Sequence, residues 1–282
     1  MAAKQRLDVY LVESGRYASR EKARAAIMAG SVYIDGRIAD KAGMSVPAGA
    51  VVDIRQETCP YVSRGGLKLQ KALTVFQIDA TDMLAMDIGA STGGFTDCLL
   101  QGGAKTVYAV DVGYGQLDYR LRTDERVINL ERCNIRYLDP AVVGQPLNLI
   151  TIDVSFISLR LVFPVAAGLL KDDGNLICLV KPQFEAGREQ VGKGGIVRNP
   201  KIHAEVIEQV CSYGLDNGLD PAGLTWSPVT GAKGNIEYLL HLIKRPPTGR
   251  PLAIEDQVAE AHARLDGSEA HARLDGGEPP CN

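Results

Sequence analysis

Asp87-Ile88-Gly89-Ala90-Ser91-Thr92-Gly93-Gly94-Phe95 closes the short, mostly apolar run Leu84–Ile88 and leads into a helical pattern over Phe95–Gln101. Small residues at such a strand-to-helix turn let the backbone approach a ligand closely, and the first turn of the helix offers free amide N–H groups. Working outward, three further apolar runs follow at Val107–Val110, Leu147–Ile152 and Leu176–Val180, with helical patterns over Leu159–Leu170 and Lys201–Asn217. Short buried runs alternating with helices are the mark of a parallel sheet covered on both faces. A late strand over Ile236–Ile243 is expected to pair antiparallel with Leu224–Trp226. The fold class is therefore α/β, a Rossmann-like domain of the kind that binds a nucleoside at its strand ends.

The spacing of the first turn is not Gly-x-Gly-x-x-Gly, which argues against a dinucleotide. Asp111 follows the second run, twenty-two residues after Gly89, where an acidic side chain can hydrogen-bond ribose hydroxyls. S-adenosylmethionine suits this combination, because its sulfonium is a cation and needs no phosphate cradle. The expected cofactor-binding set is Asp87, Gly89, Ala90, Ser91, Thr92, Gly93, Gly94, Phe95 and Asp111, with Asn134 placed to contact adenine. A second glycine-rich stretch, Gly187-Arg188-Glu189-Gln190-Val191-Gly192-Lys193-Gly194, mimics a P-loop but has Gly194 where a Mg²⁺-binding hydroxyl belongs. It reads as a substrate-facing loop and not as a nucleoside triphosphate site.

Four charged residues stand out in small, distinctive settings. Lys68 lies in Ser63-Arg64-Gly65-Gly66-Leu67-Lys68-Leu69, and Glu237 in Gly234-Asn235-Ile236-Glu237-Tyr238. Asp153 and Lys181 each end an apolar run. Charges at buried strand ends stand where α/β enzymes keep their chemistry.

The remaining sequence frames this domain. The first 58 residues read as helix, helix, hairpin: a helix from Leu7 to near Gly15, a second helix capped by Ser19, and Val32-Tyr33-Ile34 joined to Arg37-Ile38 through Asp35-Gly36, a strong hairpin signal. This piece carries +2, although the 282-residue chain carries −3 and residues 246–282 carry −4. Charge placement, not the total, governs phosphate binding. The segment resembles the small RNA-binding domain shared by a small-subunit ribosomal protein, pseudouridine synthases and tyrosyl-tRNA synthetases. That resemblance makes Arg6, Arg16, Arg20, Lys22, Arg24, Arg37 and Lys41 candidate RNA-binding residues, together with Arg64 beyond the boundary. Pro60 marks a linker over 59–62, so the expected domains are 1–58, 63–245 and an acidic, disordered or partly helical tail at 246–282 in which nine residues from Glu260 recur from Glu269.

Six scattered cysteines form no Cys-x-x-Cys pair and, with the histidines, no zinc spacing, so a reducing compartment and no metal are expected. The N-terminus has no apolar signal core, and the longest apolar stretch, Leu161–Leu170, is too short to span a bilayer. A cytoplasmic protein with no membrane partner is expected; oligomeric state is not legible.

Residues 1–245 resemble the hemolysin A (TlyA-type) ribosomal RNA 2′-O-methyltransferases, whose catalytic domain is similar to the FtsJ/RrmJ RNA methyltransferases. The stretches that carry the resemblance are Val62 to Lys68, Asp87 to Phe95, Asp111 to Leu117, Asp153 to Leu159, Leu179 to Glu185 and Gly234 to Tyr238, in that order. The resemblance implies cytidine 2′-O-methylation in 16S rRNA, 23S rRNA or both, within ribosomal subunits, and a Lys-Asp-Lys-Glu tetrad on Lys68, Asp153, Lys181 and Glu237. The chemistry agrees. A ribose 2′-hydroxyl must lose its proton as it attacks a methyl carbon, and a lysine amine can take it where burial and a second lysine favour the neutral form. Lys181 is the expected base, oriented by Asp153 and Glu237, with Lys68 steadying the substrate or competing for those carboxylates. A membrane-active haemolysin would need an exposed amphipathic or long apolar segment, and none is visible. A non-catalytic RNA-binding assembly factor is the other alternative, against which the intact tetrad argues. A base methyltransferase would show an Asn/Asp-Pro-Pro-aromatic or catalytic-cysteine motif, where Lys181-Pro182-Gln183-Phe184 stands instead.

Overall fold

The computed structural model describes residues 5–28, 30–39, 41–47, 49–54 and 59–271. The chain divides after Pro60 into two compact units, the second being Tyr61–Gly267. In the first unit, α1 (Leu7–Glu13) and α2 (Arg20–Met28) bury Leu7, Leu11, Ala23 and Ile27 completely. Ser19 Oγ accepts from the Lys22 amide, as its N-cap position requires. The sheet that completes this unit contains β1 (Val32–Ile34), β2 (Arg37–Ile38) and β3 (Val52–Ile54), in the order β2-β1-β3 and antiparallel throughout. Asp35 and Gly36 both have positive φ, the backbone that a tight two-residue hairpin demands.

The second unit begins with α3 (Gly65–Phe76) and continues through β4 (Leu84–Ile88), α4 (Gly94–Gln101), β5 (Thr106–Val110) and β6 (Val127–Leu130). It then runs through β7 (Leu147–Ile152), α5 (Phe163–Leu169), β8 (Leu170–Val180), α6 (Pro200–Leu215), β9 (Leu219–Trp226) and β10 (Tyr238–Lys244), and α7 (Ile254–His271) follows. The strands form one seven-stranded sheet, β9-β10-β8-β7-β4-β5-β6. Its pairings are parallel from β8 to β6, while β10 runs antiparallel to both β8 and β9. The expected α/β class and the antiparallel late strand are both present.

Strand residues alternate between two cores, as a sheet buried on both faces requires. Ala85, Leu149, Ile177, Leu179 and Leu239 face one core, with Leu69 and Ala72 of α3 and Leu99 of α4. Met86, Ile88, Ile150, Ile152, Cys178 and Leu240 face the other, with Phe163 of α5 and Val206 and Val210 of α6.

Of the two forms expected for the tail, the helical one is present over Ile254–His271. Thr248 donates through both its amide and its hydroxyl to Asp220, and α7 packs Val258 and Ala261 into the second core, so loss of order does not begin at Arg245. Ile254, Val258, Ala261 and Leu265 recur at helical spacing and lay an apolar stripe against the sheet unit, which explains the ordered helix despite the acidic composition. The second nine-residue repeat lies mostly outside the described residues.

Candidate active site

The parallel strands β4, β5, β7 and β8 end along one edge of the sheet, and Gly89, Asp111, Asp153 and Lys181 are the residues that directly follow them. Pairing of Ile88 with Ile152 and of Ile152 with Cys178 brings these ends into line. Glu237 reaches the same edge by another route. It precedes β10, whose antiparallel course pairs Tyr238 with Val180, so the start of β10 meets the end of β8. Side chains two apart share a face of a strand. Asp87, Asp153, Lys181 and Glu237 follow or precede Ala85, Thr151, Leu179 and Leu239 by two, and their strands carry them toward the face that α3 and α4 cover.

There the four charges form two ion pairs. Lys181 Nζ lies 2.6 Å from Asp153 Oδ1 and donates to Ser155 Oγ at 2.9 Å. Lys68 Nζ lies 2.6 Å from Glu237 Oε2, with the two side chains 12% and 3% exposed. Lys181 is itself buried, at 8%. The expectation that Glu237 orients Lys181 is therefore corrected: its carboxylate pairs with Lys68, which the first turn of α3 holds over that face.

Glycines make this proximity possible. A Cβ on Gly66 would come within 2.5 Å of Tyr61 Cβ, and one on Gly94 within 2.9 Å of the Gly66 amide, so α3 and α4 meet backbone to backbone where Lys68 begins its reach. Gly89, at φ +89°, sits where a Cβ would fall 2.5 Å from the Asp153 carbonyl oxygen, which docks the glycine turn against the Asp153 backbone.

The glycine turn itself divides into an inner and an outer part. The Asp87 carboxylate is fully buried and accepts from the Thr96 amide at 2.9 Å, Thr96 Oγ1 at 2.7 Å and Thr151 Oγ1 at 3.4 Å. Burial pushes its pKa up to about 7, against the Thr96 hydrogen bonds that lower it and with the Asp153 charge that raises it. The expectation that Asp87 touches a cofactor is corrected: it anchors the first turn of α4. Phe95, 3% exposed, likewise belongs to the core, and Gly93 and Gly94 are packing positions. Ala90 is buried as well, whereas Ser91 and Thr92 are exposed.

Asp111 bridges neighbouring turns, with Oδ2 accepting from the Ser91 amide at 2.8 Å and Oδ1 from the Gly113 amide at 2.6 Å. A carboxylate has about four lone-pair sites, so both oxygens retain acceptor capacity for a diol. The Asn134 side chain caps a short turn by accepting from the Arg136 amide at 3.2 Å, which leaves its NH₂ group out of that cap. A partly exposed carboxylate at a strand end, beside exposed Ser91 and Thr92, suits a nucleoside bearing a ribose.

Two residues in Asp153-Val154-Ser155-Phe156 were not among the expected site residues. Ser155 is the second partner of Lys181. Phe156 is 90% exposed, has φ +63° and lies 4.9 Å, centroid to centroid, from Phe184. A bulky side chain in the left-handed region is costly, and this one is exposed to solvent as well. The sequence signal was an aromatic residue in the polar turn after a catalytic-type strand end.

The Gly187–Gly194 stretch contains a short 3₁₀ turn at Arg188–Gln190 and a Gly192–Ile196 bridge. Asn235 donates to the Gly195 carbonyl at 2.9 Å and accepts from the Val197 amide at 3.2 Å, which ties this loop to the segment carrying Glu237. In the first unit, Arg6, Arg20 and Arg24 all bind Asp8, and Arg16 donates to the Val52 carbonyl. Lys22, Arg37 and Lys41 are exposed there, as is Arg64 in the second unit. Among the described residues, no helix is long and apolar enough to cross a membrane.

Comparison with known proteins extends this picture. The FtsJ-like methyltransferase family matches residues 61–244, and the S4 domain matches residues 5–52. YqxC of Bacillus subtilis is 54% identical over 241 residues, 85% of each chain. The Mycobacterium tuberculosis 16S/23S rRNA (cytidine-2′-O)-methyltransferase TlyA is 43% identical over 265 residues, which cover 93% of this chain and 98% of TlyA. A solved hemolysin-type structure from Streptococcus thermophilus superposes with a TM-score of 0.77 at 46% identity, over 96% of this chain and 100% of the other.

Proposed function

The chain belongs to the FtsJ-like methyltransferases, and from that premise we propose that it transfers a methyl group from S-adenosylmethionine to the 2′-hydroxyl of a cytidine in ribosomal RNA, within ribosomal subunits in the cytoplasm. The observation that carries this reading is the double lysine–carboxylate arrangement, Lys181 with Asp153 and Lys68 with Glu237, at the strand edge beside the glycine turn. Similarity over nearly the full length to an enzyme named for cytidine-2′-O-methylation of 16S and 23S rRNA supports the substrate.

Asp111, Ser91, Thr92 and Asn134 would hold the cofactor, with Gly89 and Ala90 keeping the turn close. Bound S-adenosylmethionine supplies a methyl carbon whose bond to sulfur breaks as its bond to the ribose 2′-oxygen forms. The Lys181 ammonium of the ion pair first releases a proton to solvent, and the neutral amine then takes the hydroxyl proton as the oxygen attacks. Asp153 and Ser155 fix that nitrogen in place and stabilise the ammonium that results, so the base is positioned before the substrate arrives. Lys68, held by Glu237, supplies a second cation beside the acceptor, where it steadies the ribose and its flanking phosphate. Phe156 offers its exposed ring as a stacking platform for the target base. The S4 domain, with its exposed arginines and lysines, adds a second hold on the RNA.

The test is transfer of radiolabelled methyl to 30S and 50S subunits from a strain lacking the enzyme. Lys181→Ala should retain cofactor binding and lose roughly 10²- to 10⁴-fold in rate, the usual worth of a positioned general base. Full transfer by Lys181→Ala would overturn the assignment of the base. No ribose label from the folded wild type on either subunit would overturn the substrate.

A further inference from the structure

Asp8 lies in the first turn of α1, and its side chain is 0% exposed although it carries a charge. A single arginine would satisfy it, yet three are gathered on it. Arg6 is bidentate, with Nε to Oδ1 at 3.0 Å and Nη2 to Oδ2 at 3.1 Å. Arg20 Nη2 and Arg24 Nε reach Oδ2 at 2.9 and 3.2 Å. The three arginine side chains are each about half exposed, at 50–53%. The arginines come from different places: Arg6 directly before α1, and Arg20 and Arg24 one turn apart on α2. The Arg6 guanidinium lies 3.6 Å from where a Cβ on Gly43 would stand, and the Leu7 and Asp8 amides donate to Met44 and Ala42, so the loop at 42–44 backs the cluster. The Arg6 hydrogen bonds, opposed by burial, hold the Asp8 carboxyl well below the usual carboxylate range, so it stays ionised at any physiological pH.

Three cations on one anion leave an excess of two positive charges at close quarters. That excess is repulsive on its own and becomes favourable when anions arrive. Each guanidinium has five N–H donors in a rigid fork, and the bonds to Asp8 use only one or two of them. The remaining donors stay available to solvent.

We propose that Asp8 is a positioning residue that organises Arg6, Arg20 and Arg24 into a preformed receptor for two adjacent phosphodiesters of an RNA backbone. This rests on the reading above that the substrate is RNA, and it adds a role for a buried acid that charge alone would assign as unfavourable to RNA. The free arginines would otherwise lose rotamer freedom on binding; held by Asp8, they have lost it already.

The two ideas differ in sign. Removing a negative charge beside an RNA-binding surface should tighten binding if Asp8 acts only through its charge. Removing the organiser should weaken it. In the full-length protein, Asp8→Asn is expected to bind purified 30S and 50S subunits about tenfold more weakly at ~0.15 M salt, with a log–log salt slope shallower by roughly one to two. Binding by Asp8→Asn as tight as wild type, or tighter, would overturn the proposal. Should Asp8→Asn unfold the first unit, seen as loss of its melting transition, Arg20→Lys/Arg24→Lys keeps every charge while discarding the planar fork. Weakened binding by that pair supports a preformed receptor, and unchanged binding refutes it. Wild type that binds neither subunit would instead sink the RNA reading itself.

Discussion

Gly231→Ala should unlock the Lys68–Glu237 pair without touching either residue. Gly231 does not occupy the left-handed region, so alanine is compatible with its backbone. The obstacle is steric: an added Cβ would stand 2.5 Å from Glu237 Cδ and 3.1 Å from Oε2. Carbon atoms pack at about 3.5–4.0 Å, so the carboxylate must retreat by roughly 1 Å. The ion pair has little slack to absorb this, being 2.6 Å long with Glu237 buried and Lys68 only 12% exposed. Stretched toward ~3.6 Å it is no longer a hydrogen bond, and a buried pair broken in this way costs about 3–5 kcal/mol. The lower end applies, because Lys68 at 12% exposure can turn toward water. At about 2–4 °C per kcal/mol for a unit of this size, the melting temperature of the second unit should fall by roughly 6–12 °C. Thermal unfolding of Gly231→Ala, Glu237→Ala and the double variant measures this directly. Once the Glu237 carboxylate is gone, Gly231→Ala should cost little. An unchanged melting temperature for Gly231→Ala, or an equal cost in both backgrounds, would refute the reasoning.

Three further outcomes follow from buried and exposed outliers near the same edge. Asp87, raised to about 7 by burial, contributes stability that is fully present below its unfolded pKa near 4 and is lost as pH rises through about 7. Asp87→Asn should therefore gain on wild type in unfolding free energy as pH rises from 4 to 8, by an upper bound of about 4 kcal/mol in denaturant titrations at each pH, and a pH-independent difference would contradict this. Phe156→Ala should lower the kcat/KM for RNA methylation roughly 5- to 150-fold, the worth of ~1–3 kcal/mol of base stacking, and an alanine variant of full activity would remove the platform role. Because residue 156 holds φ +63°, Phe156→Gly should be more stable than Phe156→Ala by about 1 kcal/mol in calorimetry.

Much of the fold is legible because it follows from local rules. Leu84–Ile88, Leu147–Ile152 and Leu176–Val180 announce themselves as strands because both of their faces are buried, and Asp35-Gly36 announces its hairpin through the positive φ it tolerates. The place of Asp153 and Lys181 was readable for the same reason: a charge directly after such a run lies at the sheet edge. Less was legible where a short local signal competed with a stronger bias in composition. The stripe of Ile254, Val258, Ala261 and Leu265 was present in the tail, but the acidity and the repeat around it suggested disorder until a core existed for the stripe to cover.

Sequence by itself determined which residues could carry chemistry, since apolar runs, glycine turns and the charges beside them are properties of neighbouring residues. Tertiary structure alone decided which charge meets which. Lys68 and Glu237 are 169 residues apart and pair because β10 runs backward along β8 and brings its start to the α3 side of the edge. Asp87, two residues before Gly89, turns inward to Thr96, although the turn that follows it opens outward. A strand's period of two assigns side chains to alternate faces, but only the register and direction of its neighbours say what covers each face. An ion pair forms between groups that packing has brought within hydrogen-bond distance, and that is information no stretch of neighbouring residues contains.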